Sequence, residues 1–259
     1  MRPITLFDRD AARSLAGILF DLDDTLLDSG KLSEHAYRSL HRLHEAGLLL
    51  VAVTGRPSGW GEVLVLQWPV DGFVTENGAV AIVKGDGKPR LIEEVAPEER
   101  AARRTRLMTL VGQMQTEFPE LVAATDVGMR RSDFTFDIGE YNQVESQVVE
   151  SAMRFARAHG ALTVRSSVHL HVSFDGSDKA SGVVRLLHRH FGYDVTNARR
   201  VFAFIGDSEN DESCFAGFKY SFAVANLRGR PTVSPQYITQ LERGRGFAEF
   251  AELVLRLRK

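Results

Sequence analysis

The chain has 259 residues, 44% hydrophobic and 25% charged, the make-up of a soluble globular protein with material for one large domain or two smaller ones. Its 32 basic and 34 acidic side chains give a net charge of −2, so no global field recruits nucleic acid or an anionic membrane. The single cysteine, Cys214, excludes an internal disulfide framework, and no segment approaches the ~18 apolar residues of a membrane span. The first fifteen residues are mixed and charged, without the apolar core of a secretory signal, so the expected location is the cytoplasm.

Residues 15–20 are a short apolar run closed by acids, which reads as a buried strand of a parallel sheet. Asp21 and Asp23 follow, two apart, and on extended backbone their side chains leave the strand end on the same side. Carboxylates held that close repel and desolvate badly unless a cation neutralises them or one is protonated. The same acids also fit a helix-capping cluster, although ligand sites of open α/β sheets lie at such strand ends. Residues 33–47 carry Ala36, Leu40, Leu43 and Ala46 at helical spacing, with Ser33 as N-cap and Gly47 as stop. A second buried strand, 48–53, ends in Thr54-Gly55-Arg56, and 58–67 suit a short helix. A third strand at 72–75 precedes Asn77-Gly78, a hairpin signal, and another apolar run at 79–83. This alternation predicts the start of a doubly wound sheet.

The pattern then changes. After a turn-rich break at 85–89, residues 98–118 carry Leu107, Leu110, Val111, Met114 and Phe118 on one helical face. Residues 133–138 and 168–174 alternate apolar with polar, a further strand falls at 162–165, and Val144 to Ala156 mark a second helix. Alternation means one buried and one polar face, as in an antiparallel sheet covered by helices on one side. Residues 85–174 are therefore expected to form an α+β unit inserted between core halves 1–84 and 175–259. The core pattern resumes with a helix at 179–191, a strand at 201–205 ending in Gly206-Asp207-Ser208-Glu209-Asn210-Asp211, a short strand at 222–225 and a closing helix at 247–257.

Four loops need one explanation. Asp21/Asp23, Thr54 and Asp207/Asn210/Asp211 follow three strands, and Lys179 opens a helix. Thr54 alone reads as a turn residue, and Asp207 and Asp211 alone as helix-dipole acids. Lys179 differs, since a cation in a first helical turn opposes the dipole and needs a solvated exit or a nearby anion. Together the groups suit a divalent cation and phosphate oxygens, and hard carboxylate oxygens favour Mg²⁺.

These residues resemble the four motifs of the haloacid dehalogenase (HAD) superfamily: Asp-Leu-Asp-Asp-Thr-Leu at 21–26, Thr54, Lys179 and Gly-Asp-Ser-Glu-Asn-Asp at 206–211. The insert between Thr54 and Lys179 resembles the type IIB cap of Cof-like, sucrose-phosphate and mannosyl-3-phosphoglycerate phosphatases, as does Thr75-Glu-Asn-Gly-Ala79. Asp24 departs from the Gly usual in Cof-like members. The resemblance implies an α/β fold, a doubly wound parallel-sheet HAD core with an inserted α+β cap domain. It implies Asp21 as nucleophile, forming an aspartyl-phosphate, and Asp23 as general acid/base. It implies Mg²⁺ held by the Asp21 carboxylate, the Asp23 backbone carbonyl and Asp207, and phosphoryl oxygens held by Thr54, Lys179 and Asn210. Asp211, Gly55 and Asn77 are supporting residues on this reading.

Within the insert, His169, His171 and Ser173 share the polar face of one strand. Paired His at i, i+2 would suit zinc, but no third ligand is evident, and a solvent- or substrate-facing surface is the expectation. Arg165, His169 and His171 are the specificity candidates. Arg130, Arg131 and Arg165 could serve a second anionic group, with surface solvation as the default. The expected activity is Mg²⁺-dependent hydrolysis of a small phosphorylated metabolite, a sugar phosphate, by a monomer or weak homodimer without nucleic-acid or membrane partners. The alternative is phosphomutase-type transfer on a sugar phosphate. A signalling receiver domain shares the acid, Thr, Lys and Mg²⁺ chemistry, but its acceptor follows a later strand. A catalytically silent binding protein is disfavoured because every motif residue is intact.

Overall fold

The computed structural model describes residues 1–92, 95–166, 168–229 and 231–259. Along the strand Gly17–Phe20, Ile18 and Phe20 enter one apolar cluster and Leu19 another, all fully buried. Leu49–Val53 divides the same way, Leu50 and Ala52 against Val51 and Val53. Strands apolar on both sides must be covered twice. Glu34–Glu45 and Arg243–Arg258 cover one face of the sheet, and Lys179–Arg189, Val195–Val201 and Glu212–Gly217 the other.

Among the described residues the main sheet runs in the order Arg2–Pro3, Tyr237–Ile238, Tyr220–Ala223, Phe202–Gly206, Gly17–Phe20, Leu49–Val53, Gly72–Thr75, Val80–Lys84, Pro89–Ile92. Neighbours are parallel as far as Gly72–Thr75 and antiparallel beyond it. The winding thus runs outward in both directions from Gly17–Phe20. Asp21 lies where the strand order reverses, the crevice at which open α/β sheets bind ligands.

The second sheet, in the order Leu162–Arg165, His169–Ser173, Asp133–Asp137, Val122–Ala123, is antiparallel throughout. Its apolar face, with Phe134, Phe136, Leu170 and Val172, packs on Pro97–Glu117 and Ser146–Ala158. Helices thus cover one face, as the alternation predicts. The polar face is not solvated, however: Asp133, Thr135, Asp137 and His171 are all buried.

Residues 85–92, assigned from the sequence to the insert, lie in the core sheet instead. The Gly85 N–H donates to Lys88 O at 2.8 Å, and Pro89–Ile92 pairs with Val80–Lys84. A Gly-Asp-Gly run codes a hairpin tip as readily as a linker, so the turn-rich break at 85–89 is a turn between two strands of the core sheet. Among the described residues no helix is long and apolar enough to cross a membrane.

Candidate active site

The floor of the site is a set of charges buried at strand ends. Asp21 keeps its place in the sheet by donating its N–H to Ile205 O at 3.0 Å. Lys179 Nζ donates to Asp21 Oδ1 and to Asp211 Oδ1, each at 2.7 Å, which explains a cation in a first helical turn. The helix carrying it is capped by Asp178, whose carboxylate accepts the Ser181 N–H at 2.7 Å. Its start rides directly on the turn Glu76–Gly78. A Cβ at Gly78, where φ is +107°, would stand 2.0 Å from the Asp178 carbonyl, so only glycine permits that approach. Asp211 Oδ2 accepts the N–H groups of Asp207 and Ser208 at 2.9 and 3.2 Å, so both of its oxygens are engaged.

Asp21, Asp207 and Asp211 each bring a carboxylate oxygen within 4.8 Å of the others. Burial pushes the Asp21 carboxyl up to about 7; Lys179 pulls it back, while Asp211 and Asp23 add repulsion. Burial, then Asp21 and Asp211, push Asp207 up to about 9. Burial would lower Lys179, but Asp21 and Asp211 hold it well above its ordinary value. One ammonium is too little for three crowded carboxylates. A divalent cation with a taste for hard oxygens fits that deficit.

The second loop is shaped by its own backbone. Thr54 is buried, its Oγ1 accepts the Arg56 N–H at 3.1 Å, and its carbonyl accepts the Asn77 N–H at 3.1 Å. Asn210 Nδ2 donates to Asn77 Oδ1 at 3.0 Å, tying two motifs together. Glu76 and Asn77 take left-handed φ of 51° and 55°, and Asp24 one of 55°. Such non-glycine strain gathers at functional turns. Arg56 grips the Asp23 carboxylate through Nε at 2.8 Å and NH2 at 2.6 Å, and its guanidinium lies 4.1 Å over the Trp60 ring.

Floor and roof enclose one cleft of about 690 Å³. Asp21, Asp23, Gly55, Lys179, Asp207 and Asn210 line it from the core, and Arg165, His169 and His171 from the second sheet. Thr54, Asn77 and Asp211 act from behind through the bonds above. The roof's polar groups already have partners: Arg165 lies 3.2 Å from Glu150, and His169 Nε2 3.1 Å from the Glu140 carboxylate. Burial, with His171 beside it, lowers the His169 imidazole.

Three residues around the site, Arg56, Glu76 and Arg228, escape the sequence reading, and a fourth, Arg130, sits otherwise than expected. Arg56 stands there only as the polar end of a strand, and Glu76 only as part of a hairpin. Glu76 in fact joins the two sheets: its carboxylate accepts the N–H groups of Ser58, Arg131, Ser132 and Asp133 at 3.0, 3.0, 2.6 and 3.3 Å. Arg130 is not solvated as the default holds; it is buried and donates to the Gly55 carbonyl at 3.1 Å. Arg228 pairs with Asp24 at 2.9 Å. A non-glycine residue beside Asn-Gly was the available signal for Glu76; Arg130 was in view as a candidate for an anionic group, but nothing local marked it as buried.

A family model for the haloacid dehalogenase-like hydrolases matches residues 18–108 and 129–250, and the chain belongs to that family. It is an enzyme of the HAD type, with a core and inserted cap that share the fold of subclass IIB. Phosphoglycolate phosphatase 1 of Saccharolobus solfataricus is 24% identical over 244 residues, 92% of this chain and 95% of its own length. Phosphoglycolate phosphatase of Methanothermobacter thermautotrophicus is 24% identical over 237 residues, 91% of this chain and 96% of its own length. In fold, a Thermoplasma acidophilum structure gives a TM-score of 0.75 at 17% identity, covering 94% of this chain and 99% of that one. A HAD subclass IIB sugar phosphatase gives 0.63 at 16%, covering 86% and 93%.

Proposed function

We propose that the protein is a Mg²⁺-dependent phosphatase of a small phosphorylated metabolite, a sugar phosphate or a short hydroxy acid phosphate, working through an aspartyl-phosphate. The observation that carries this reading is the convergence of Asp21, Lys179 and Asp207 on one cleft, with the Gly55 loop beside them. The names of the curated relatives support the phosphatase reading and bring a two-carbon acid into the substrate range.

Lys179 occupies Asp21 Oδ1, which leaves Oδ2 as the nucleophilic oxygen. Oδ2 attacks phosphorus, the ester P–O bond breaks, and Asp23 gives its proton to the leaving oxygen. Asp23 then takes a proton from water, whose oxygen attacks the same phosphorus and releases the Asp21 carboxylate and inorganic phosphate. Lys179, Asn210 and the Thr54–Gly55 loop hold the phosphoryl oxygens against the charge that develops there. To serve the leaving group, Asp23 must turn out of the Arg56 fork. Mg²⁺ would be held by Asp21, Asp207 and the Asp23 carbonyl, and supplies positive charge that neutralises the carboxylates and phosphoryl oxygens.

The test is release of inorganic phosphate from p-nitrophenyl phosphate, phosphoglycolate and a panel of sugar phosphates, with Mg²⁺ and with excess chelator. Turnover in Mg²⁺ and none in chelator is expected. Undiminished turnover in chelator would refute the metal assignment, and the absence of phosphate release from every substrate would refute the activity.

A further inference from the structure

A buried ionic chain connects the roof to the phosphate loop. His171 Nδ1 donates to Asp133 Oδ2 at 2.9 Å, both Asp133 oxygens accept from Arg130 NH1 at 3.0 Å, and the same nitrogen donates to the Gly55 carbonyl at 3.1 Å. The Arg130 and Asp133 side chains are 1% and 3% exposed. Asp126 takes the other edge of the guanidinium, from Nε at 3.0 Å and NH2 at 2.9 Å. Every nitrogen of Arg130 is therefore bonded within the protein, and the guanidinium is engaged by the roof's own acids and the Gly55 carbonyl. Burial would raise the Asp133 carboxyl, but Arg130 and the His171 bond outweigh it and hold it below its ordinary value.

Stability does not explain such a chain. A buried ion pair contributes no more than apolar packing of the same volume, and often less. What it adds is geometry. The guanidinium fork is planar and rigid, so bonds fix both distance and angle. The segment bearing Arg130 is itself anchored on the core, by the Glu76 carboxylate under residues 131–133 and by Ser58 Oγ donating to Met129 O at 3.1 Å. The Thr135 hydroxyl, 3.3 Å from His171 Nδ1, steadies the ring from the same strand as Asp133. His171 lines the cleft, and with Nδ1 donating to Asp133, Nε2 is the ring atom left to accept from a substrate hydroxyl.

We propose that Arg130 is a positioning residue that, through Asp133, holds the His171 imidazole at a fixed distance from the Gly55 phosphate loop, so that the site selects phosphomonoesters by the length of the leaving group. The inference rests on the phosphatase reading above. Phosphate seated at Gly55 and a polar group seated at His171 must be spanned by one leaving group. A chain one carbon shorter or longer misses Nε2 and forgoes about one hydrogen bond, roughly 3- to 10-fold in kcat/KM.

The experiment measures kcat/KM for phosphate release, with Mg²⁺, over terminally hydroxylated monophosphates of two to six carbons. The wild-type chain is expected to prefer one length over both neighbours by roughly 3- to 10-fold. Arg130→Lys keeps the charge without the fork, and Asp133→Asn keeps the shape without the charge. Each should flatten that preference to within about twofold, whatever the absolute loss, since a change of about 0.4 kcal/mol is all that remains. A uniform loss across the series with the preferred length and its margin intact overturns the proposal, because that is what mere support of the fold predicts. A wild type indifferent to length overturns it as well. Should neither variant fold, histidine ¹⁵N NMR of the wild type decides, using phosphonate analogues of the same series. The His171 Nε2 resonance should move with the analogue of preferred length and not with its neighbours; an unmoved or indiscriminate resonance sinks the idea. Failure to release phosphate from any compound, p-nitrophenyl phosphate included, is a different result and removes the phosphatase reading instead.

Discussion

The two walls of the cleft handle buried charge in opposite ways. On the floor, Asp21, Asp207 and Asp211 crowd together with Lys179 as their nearest cation, and two of the carboxyls are pushed far up. On the roof the acids stand apart around cations: Arg130 lies between Asp126 and Asp133, and Arg165 meets Glu150. Carboxylates crowded on one another leave room for a further cation; carboxylates bracketing a guanidinium hold its orientation. On the proposed mechanism, chemistry falls to the floor and recognition to the roof. Each variant below tests one side of that division.

The largest effect is expected at Asp21. Asp21→Asn removes the attacking oxygen while leaving the shape, and no neighbour takes its place, so turnover should fall by ~10⁴ or more. Steady-state phosphate release measures this, and activity within tenfold of wild type would place the nucleophile elsewhere.

Removal of metal comes next. Chelation should abolish turnover, and the bare protein should reveal the floor's imbalance in its stability. The Asp21 and Asp207 carboxyls are raised from 3.8 to about 7 and about 9 on folding. Raised carboxyls contribute stability that is fully present below the unfolded value and is lost as pH rises through the folded values. The metal-free protein should therefore melt at progressively lower temperature from about pH 4 to pH 9, by roughly 2–4 °C per kcal/mol lost. Mg²⁺ should raise the melting temperature most at the alkaline end. A metal-free Tm that does not decline over that window would mean the acids are balanced without a cation.

The same division explains how much could be read from the sequence. The floor was legible because its residues break local rules. Asp21 and Asp23 interrupt an apolar run, and Lys179 opposes a helix dipole, so each asks for a partner far away in the chain. The doubly wound core was legible for a similar reason, since uninterrupted apolar strands demand cover on both sides. Short elements were not: Arg2–Pro3 and Tyr237–Ile238 have two residues each, too few for any periodicity. The closing helix starts at Arg243 rather than 247, because Gly244 and Gly246 in its first turn mask the helical signal. The roof's anchors were harder to read. Glu76, Arg130 and Asp133 lie among charged or turn-forming residues that look solvated, and only the fold shows that Glu76 and Arg130 reach backbone groups across the sheet boundary and that Asp133 joins Arg130 to His171.

Asp23 should matter less than Asp21 and in a way that depends on the substrate. Proton transfer by a positioned acid contributes about 10²–10⁴-fold, most when the leaving oxygen is basic. Asp23→Asn should accordingly slow sugar phosphates by ~10²-fold or more and p-nitrophenyl phosphate by a smaller factor. Equal losses on both would make Asp23 a partner for Arg56 and nothing else.

Glu76→Gln tests the joint between the walls. The amide keeps one acceptor oxygen, but the charge that serves four N–H groups is gone. Bonds to a charged group contribute ~1.5–3 kcal/mol each when removed singly, so a net loss of about 2 kcal/mol is expected for this conservative change. Calorimetry should record a lower Tm. An unchanged Tm would mean that the second sheet is held by its own contacts, with the Glu76 bonds adding nothing.

The smallest effect is expected at Arg165, and its smallness is informative. Its side chain is 36% exposed, and its partner Glu150 is 53% exposed. A pair so open to water is screened and contributes ~0–1 kcal/mol, so Arg165→Ala should leave Tm nearly unchanged. Arg165 nevertheless lines the cleft, and its second bond, NH2 to Ser146 Oγ at 3.2 Å, ties it to the start of a roof helix. If the roof recognises the leaving group, Arg165→Ala should raise KM for substrates carrying a carboxylate by a few-fold and leave neutral sugars alone, since an exposed guanidinium adds only modest attraction. KM measured for phosphoglycolate against a neutral sugar phosphate of similar size separates the outcomes. A parallel change in both would mark Arg165 as a support for the roof helix rather than a contact of the substrate.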